Sequence, residues 1–329
     1  MRQKKLDLGY LSPDASQRGA SSGAEDAPKP AGYYGESLLK KPHWGWNVVL
    51  YLFLGGVMGG SSSIVVLASE RDPGERKLSR NGRYVALALS AACPVILISH
   101  LGRPERFLNM LRIVKLKSPM SLGVWGLVAY GNAALLSALA QAGRDGVLPR
   151  WTRHLAPRPF ADFPLAVFGS FIASYTGVLI SATAVPLWAK GKRHIPPLFV
   201  FSGVAGACAL HAGLLALESG TEQTRRKLER VELIAALCEL ATLAAFRRHA
   251  GTLGAPMFEG PRGQRLRTYT VLAGIVAPAV LNAIPAGGRW KTLLTSALTL
   301  AGGYVLRETV IEAGKASADD PKAAFTQPE

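Results

Sequence analysis

Two groups of polar side chains interrupt runs of apolar residues, and each group has a recognisable chemistry. The first gathers His43 and Asn47, which are four apart and share a face of any helix containing both. It continues with His100, Arg103 and Arg106, then Ser118, Pro119, Ser121 and Trp125, with Tyr130 deeper on the same helix. Hydrogen-bond donors, aromatic surface and positive charge at one membrane interface suit a quinone. Its carbonyls need donors, its ring stacks on aromatics, and its isoprenoid tail needs access to lipid. The plainer alternative is that the histidines and arginines extend into the lipid headgroups. Axial haem ligation needs two histidines at one depth on different helices, and His43 and His100 are the only such pair.

The second group lies toward the opposite face and the midplane. It contains His211 and Glu218 on one apolar stretch and Glu232 and Glu239 on the next, with Glu70 ending the first stretch on the same side. Glu232 and Glu239 are about two helical turns apart on one face. Carboxylates and a histidine stepping inward can carry protons, and pairing with nearby arginines is the structural alternative. The three cysteines, Cys93, Cys208 and Cys238, lie far apart in apolar stretches. They have no metal-ligand spacing and read as small buried hydrophobes.

These residues need elements that place them at defined depths. Only 18% of the 329 residues are charged, yet the formal net charge is +16. The charges fall in short blocks between long uncharged stretches, as a bilayer requires, because a charge at its centre costs at least ~2.5–3.5 kcal/mol. Nucleic-acid binding is excluded because the basic residues occupy the loops between spans instead of one face. A span needs ~20 mostly apolar residues. Eight stretches meet or approach this: 46–69, 84–101, 119–142, 163–189, 195–217, 231–246, 269–287 and 290–306. The sixth is short and carries Glu232 and Glu239. The last two meet in a tight hairpin around Gly287-Gly288-Arg289. Trp44, Trp46, Trp151, Trp188 and Trp290 lie at span ends, as interfacial anchors do.

The fold expected is therefore an all-α integral membrane protein with eight transmembrane helices. A polytopic domain over 44–312 is flanked by a disordered arm (1–43) and a disordered tail (313–329). An even span count puts both termini on one face, the N-face. Its segments hold 23 Lys and Arg against 15 opposite, a bias toward a cytoplasmic N-face. Gly55-Gly56-Val57-Met58-Gly59-Gly60-Ser61 has no preceding strand and sits inside a span, so it reads as a helix-packing seam and not a phosphate loop.

Several of these segments resemble the NrfD/PsrC-type membrane subunits (the polysulfide reductase NrfD family). The resemblance rests on Tyr33-Tyr34-Gly35, Lys41-Pro42-His43-Trp44, and Tyr51-Leu52-Phe53-Leu54-Gly55-Gly56 with Gly59-Gly60-Ser61. It also rests on Leu101-Gly102-Arg103-Pro104-Glu105-Arg106-Phe107-Leu108-Asn109-Met110-Leu111, then Lys117-Ser118-Pro119-Met120-Ser121 and Gly123-Val124-Trp125-Gly126. It implies eight helices in two four-helix bundles, and a quinone-binding anchor (menaquinone or ubiquinone, non-covalent) with no metal or haem bound by this chain. It implies a ferredoxin-like 4Fe-4S partner subunit, often joined to a molybdopterin oxidoreductase or a multihaem cytochrome. It implies a quinone pocket using an Asn and a His on the first span and a Tyr further along; Asn47, His43 and Tyr130 are the candidates.

The expected function is a quinone-reactive membrane subunit of a respiratory oxidoreductase in the bacterial plasma membrane. His43, Asn47, Tyr130, His100 and Trp125 would bind quinone. Arg103 and Arg106 would hold the partner or polarise the quinone. His211, Glu218, Glu232 and Glu239 would form a proton path. The chain would not be an enzyme alone. A secondary transporter of anions and protons, or a passive membrane tether, are the alternatives. No internal repeat supports the transporter, because Pro186 and Pro278 interrupt spans that do not correspond between halves.

Overall fold

The computed structural model describes residue 39 and residues 42–68, 72–101, 103–115, 117–154, 158–284 and 288–320. The arm over 1–38, Glu70, Gly287 and the end of the tail lie outside them. Among the described residues every regular element is helical. The long elements are α1 (Trp46–Leu67), α2 (Pro73–Ser99), α4 (Pro119–Arg144), α5 (Arg158–Ser181), α7 (Ile195–Ala216), α8 (Glu222–Ala250) and α12 (Gly288–Asp319). Short helices α3 (Phe107–Met110), α6 (Pro186–Lys190) and α9 (Ala255–Phe258) sit in the connections. The pass between α8 and α12 is composite: α10 (Gly260–Arg265), a π-helix (Leu266–Val276) and α11 (Ala277–Ala283).

Six of these passes are long and apolar enough to cross a membrane, which makes this a multi-pass membrane protein. They are α1, α2, α4, α5 from Asp162, α7 and the composite pass. The passes α8 and α12 are longer, at 29 and 32 residues, but too polar to qualify. Eight spans therefore remains a proposal.

Helix ends explain where the sequence reading was short. α2 begins at Pro73 and not at residue 84, because Asp72 caps it, accepting from the Gly74 amide at 2.9 Å, and Pro73 presets the first turn. The charged turns holding Arg76, Lys77, Arg80 and Arg83 are thus helix and not loop. α12 likewise continues through Asp319, so residues 313–319 are not tail. There Gly314 lies against the Trp188 indole, where a Cβ would stand 2.0 Å from the ring. Trp188 is no interfacial anchor either. It is fully buried, stacks on Trp44 at 5.0 Å and donates to the Val310 carbonyl at 2.9 Å. Trp46, Trp151 and Trp290 are exposed, as anchors should be.

Helix α1 is the axis of the molecule and packs against α2, α5, α7 and α12. Its glycines make this possible by letting backbones approach. Gly56 faces the Gly203 backbone of α7, Gly60 faces Ala207 one turn further, and Gly59 faces the Gly169 carbonyl of α5. α1, α2, α4 and α5 form one group. α7, α8, α12 and the π-helix form a second, joined to the first through α1 and α5 against α7.

Candidate functional site

The first site is a layer at the N-face end of the first group. Asn47, in the first turn of α1, donates its amide to the Ser99 hydroxyl at the end of α2 (2.9 Å). One turn deeper on the same face of α1, Tyr51 is buried beside Tyr175 of α5 and Cys93 of α2. Tyr175 donates to the Pro119 carbonyl at the start of α4 (2.8 Å) and stacks on Phe171. The position needs Gly123, whose Cβ would stand 2.2 Å from the Tyr175 hydroxyl. Trp125 is two residues on, and its indole N–H is buried with no acceptor among the described residues. Such a donor is a costly thing to leave unmatched.

The other residues expected here are placed as follows. His43 is exposed and His100 half-buried, both at the rim of this layer. Arg103 precedes, and Arg106 ends, a single exposed 3-10 turn. Tyr130 does not join Asn47. Its hydroxyl meets Ser62 at 2.9 Å, and Ser62 lies fifteen residues further along α1 than Asn47, ~22 Å at 1.5 Å per residue. Tyr51 and Tyr175 are the tyrosines of this layer, a grouping that sequence reasoning missed. The available signal was Tyr51 at four residues from Asn47.

The second site is a cavity of about 370 Å³ among α7, α8, the composite pass and α12. Arg226, Glu229, Arg230 and Lys291 line its end toward the opposite face. Glu232, Glu239, Ser202 and Gly303 line its interior. Thr299 donates to Glu232 at 2.6 Å. The π-helix forms one wall. Its wide turns bring Gly274 against Gly302, and Thr270 donates to the Gly302 carbonyl.

At the inner end Arg307 is fully buried. It donates to the carbonyls of Leu52 (3.3 Å), Gly303 (2.8 Å) and Phe199 (3.1 Å) and to the Ser202 hydroxyl (2.9 Å). The guanidinium also lies over the rings of Phe53 and Phe199. The same Ser202 approaches the Glu239 carboxyl, which lies in the field of Arg307.

The four residues expected as one proton path are therefore split. Glu232 and Glu239 share the cavity. Glu218 is held outside it by Arg80 (3.0 Å) and Asn81 (2.8 Å). His211 is buried against Gly82 of α2, with neither ring nitrogen partnered among the described residues.

A further network escaped sequence reasoning. Arg83 of α2 makes a two-pronged ion pair with Asp162 of α5 (3.1 and 2.7 Å), and Ser137 and Gln141 of α4 complete it. Arg83 and Arg307 both look like loop charges in the sequence. Both are buried, so each leaves the face to which the basic-residue bias assigned it. Among the described residues no group of three or more His, Cys, Asp or Glu converges as a metal centre requires.

Comparison with known proteins decides what carries these two sites. The family described as Polysulphide reductase, NrfD matches residues 38–318. The chain belongs to the NrfD family. It is 26% identical over 301 residues to the C subunit of polysulfide reductase from Wolinella succinogenes, covering 83% of this chain and 94% of that protein. It is 27% identical over 236 residues to protein NrfD of Escherichia coli K12, covering 65% of this chain and 72% of that one. The NrfD match spans both helix groups, so the cavity of the second belongs to the family domain as much as the layer of the first.

Proposed function

We propose that this NrfD-family chain is the quinone-reactive membrane subunit of a respiratory oxidoreductase in the bacterial plasma membrane, working beside a 4Fe-4S partner subunit. A bound quinone supplies the two-electron, two-proton chemistry. The residues of this chain hold and orient it. The reading is carried by the Trp125 indole N–H, buried with no acceptor among the described residues, in the second turn of α4 at the N-face, the turn that also carries Gly123. That N–H is a donor for a quinone carbonyl, Tyr51 and Tyr175 supply aromatic surface, and Asn47 and His43 supply polar groups at the rim. Tyr130 lies behind the layer, held by Ser62.

A partner surface adjoins this layer. Between α2 and α4, Arg103, Arg106, Arg112, Lys115 and Lys117 are exposed together with Leu108, Ile113 and Val114. A basic rim around apolar side chains fits an acidic protein surface. The partner's redox centre would identify the electron donor or acceptor, and a molybdopterin enzyme or a multihaem cytochrome is the class we expect behind it. A lone chain that moves a labelled solute would favour a transporter instead.

The test titrates a menaquinol analogue against the purified complex. Trp125→Phe and Asn47→Ala should each weaken binding about tenfold, the worth of roughly one buried hydrogen bond. Tyr130→Phe should leave it unchanged. Undiminished binding in both of the first two variants removes this assignment.

A further inference from the structure

The outer part of the second group's cavity differs in makeup from its polar interior. Its two outer walls have separate supports: α8 rests on α7, and the composite pass rests on α12. The cavity lies between these walls. Arg226, Arg230, Leu233 and Ile284 line it and are exposed, so it reaches the surface there. The neighbouring positions on each wall, Ile234 and Leu237 on α8 and Val276 and Val280 on the composite pass, are exposed and apolar. On the passes of a membrane protein such side chains face hydrocarbon. The gap between α8 and the composite pass therefore opens sideways to lipid. The cavity volume, about 370 Å³, falls within the roughly 300–1,000 Å³ of ligand sites.

Three cations line the end toward the opposite face. Arg226 and Arg230 are four apart on α8 and share a face. Neither forms an ion pair or hydrogen bond among the described residues. Lys291 donates to the Ile284 carbonyl at 2.7 Å, which leaves two of its three ammonium protons. One carboxylate, Glu229, lines the same end, and Glu232 is already bound by Thr299. This end therefore carries more positive charge than its own carboxylate offsets. The Asn282 Oδ1 atom, on another lining residue, is buried with no donor among the described residues. Further along both walls the lining turns apolar, with Leu233 and Ala236 on α8 and Ile275 and Ala279 on the composite pass.

We propose that this end of the cavity is a lateral site for one anionic phospholipid with a hydroxyl-bearing headgroup, its phosphate held by Arg226, Arg230 and Lys291 and an acyl chain lying between α8 and the composite pass. Guanidinium forks match phosphate oxygens, and basic pockets between membrane helices take anionic headgroups. A glycerol headgroup offers the hydroxyl that Asn282 needs, and a choline headgroup has none. A free phosphate would leave the apolar walls uncovered, and an uncharged chain would leave the cations unanswered. One lipid meets both, and it joins two walls whose main contacts are with other helices. The site lies away from the quinone layer at the N-face and stands without the quinone reading.

Native mass spectrometry tests this on the full-length protein, released from nanodiscs of mixed phosphatidylglycerol and phosphatidylcholine with identical chains. One phosphatidylglycerol should be retained about tenfold or more over phosphatidylcholine. Arg226→Gln with Arg230→Gln should erase the preference, and both side chains are exposed, so the fold should be kept. Arg247→Gln with Arg248→Gln, exposed at the other end of α8, should leave it intact. Ala279→Phe narrows the gap without altering charge and should lower retention of the lipid. Glycerol 3-phosphate should not displace it. Equal retention of the two lipids, equal loss in both arginine pairs, or unchanged retention in Ala279→Phe overturns the site. Displacement by glycerol 3-phosphate would make the ligand a free anion, and displacement by an equal concentration of menaquinone would make the gap a place for a quinone tail. Either result overturns the proposal.

Discussion

Gly56 of α1 and Arg307 of α12 occupy adjoining space: a Cβ on Gly56 would stand 2.7 Å from the Arg307 Nη2 atom and 3.3 Å from the Gly203 Cα. The guanidinium is fixed by four hydrogen bonds, so it has little room to withdraw. Gly56→Ala should therefore destabilise the protein by roughly 1–3 kcal/mol, the usual effect of overpacking. Gly203→Ala should cost at least as much, because its Cβ would meet the Gly56 backbone carbonyl at 2.7 Å and backbone cannot move aside. Gly131→Ala is the control. Nothing lies within 4 Å of its Cβ, so gain of helix propensity should leave the protein unchanged or stabilised by up to about 1 kcal/mol. Thermal melting in detergent reads all three. Equal melting temperatures would mean that the helix seam yields more easily than its contacts imply.

The Arg83–Asp162 pair makes a second prediction. Both residues are buried, and the pair is completed by Ser137 and Gln141, the latter donating onward to Asp145 at 2.8 Å. Removing one partner leaves an uncompensated charge. Arg83→Met and Asp162→Leu should each cost about 3–5 kcal/mol. The double variant should recover most of the loss, because an apolar pair of similar size carries no desolvation penalty. A double-mutant cycle on melting curves measures the coupling, and purely additive losses would show that the two charges do not depend on each other.

These two arginines also mark where the sequence ceased to be legible. The spans of α1, α4, α5 and α7 stand out because each is a long run without Asp, Glu, Lys or Arg, and the two groups of polar residues were found because they break such runs. Arg83 and Arg307 sit at the flanks of apolar runs, where an exposed loop charge and a buried one look alike. What buries Arg83 is Asp162, seventy-nine positions away, and what buries Arg307 is backbone of α1, 255 positions away. The same limit applies to Tyr130 and His211. Their depth could be read from position along a helix, but the facing partner, Ser62 for one and Gly82 for the other, depends on helix rotation, which an almost uniformly apolar stretch does not reveal. α8 and α12 were read short for a related reason: their polar turns are helical because neighbouring helices cover them.

His194, at the N-face before α7, predicts a pH effect. Its ring lies 4.9 Å from that of His249 and 5.9 Å from Phe246, and its Nδ1 atom is buried without a partner among the described residues. Burial, then the neighbouring His249 and Arg193, hold its pKa below the ordinary 6.5. The unfolded chain therefore binds the proton more readily. Stability is complete above the unfolded value and falls as pH drops through it. Melting temperature should decline between about pH 7 and 5.5. His194→Phe keeps a ring against Phe246 and removes the titration, so its curve should be flatter over that range. An equal decline in the variant would assign the effect to other groups.

The exposed segment between α2 and α4 carries the last prediction. Arg103 precedes, and Arg106 ends, a 3-10 turn near the exposed Leu108, and neither is held by a carboxylate among the described residues. Charges at an interface rim act chiefly on the rate of encounter, and their action weakens with salt. Reversing both, as Arg103→Glu with Arg106→Glu, should slow association with purified partner subunits by about tenfold or more at low ionic strength. The difference should shrink at high salt, and melting temperature should hardly change, because both side chains are exposed. Leu108→Asp should act differently, speeding dissociation at all salt concentrations, since it removes apolar contact and not long-range attraction. Association kinetics on immobilised partner subunits separate the two effects. Unaltered rates in both variants would place the partner elsewhere on the N-face, and the quinone layer would then need a different neighbour to supply its electrons.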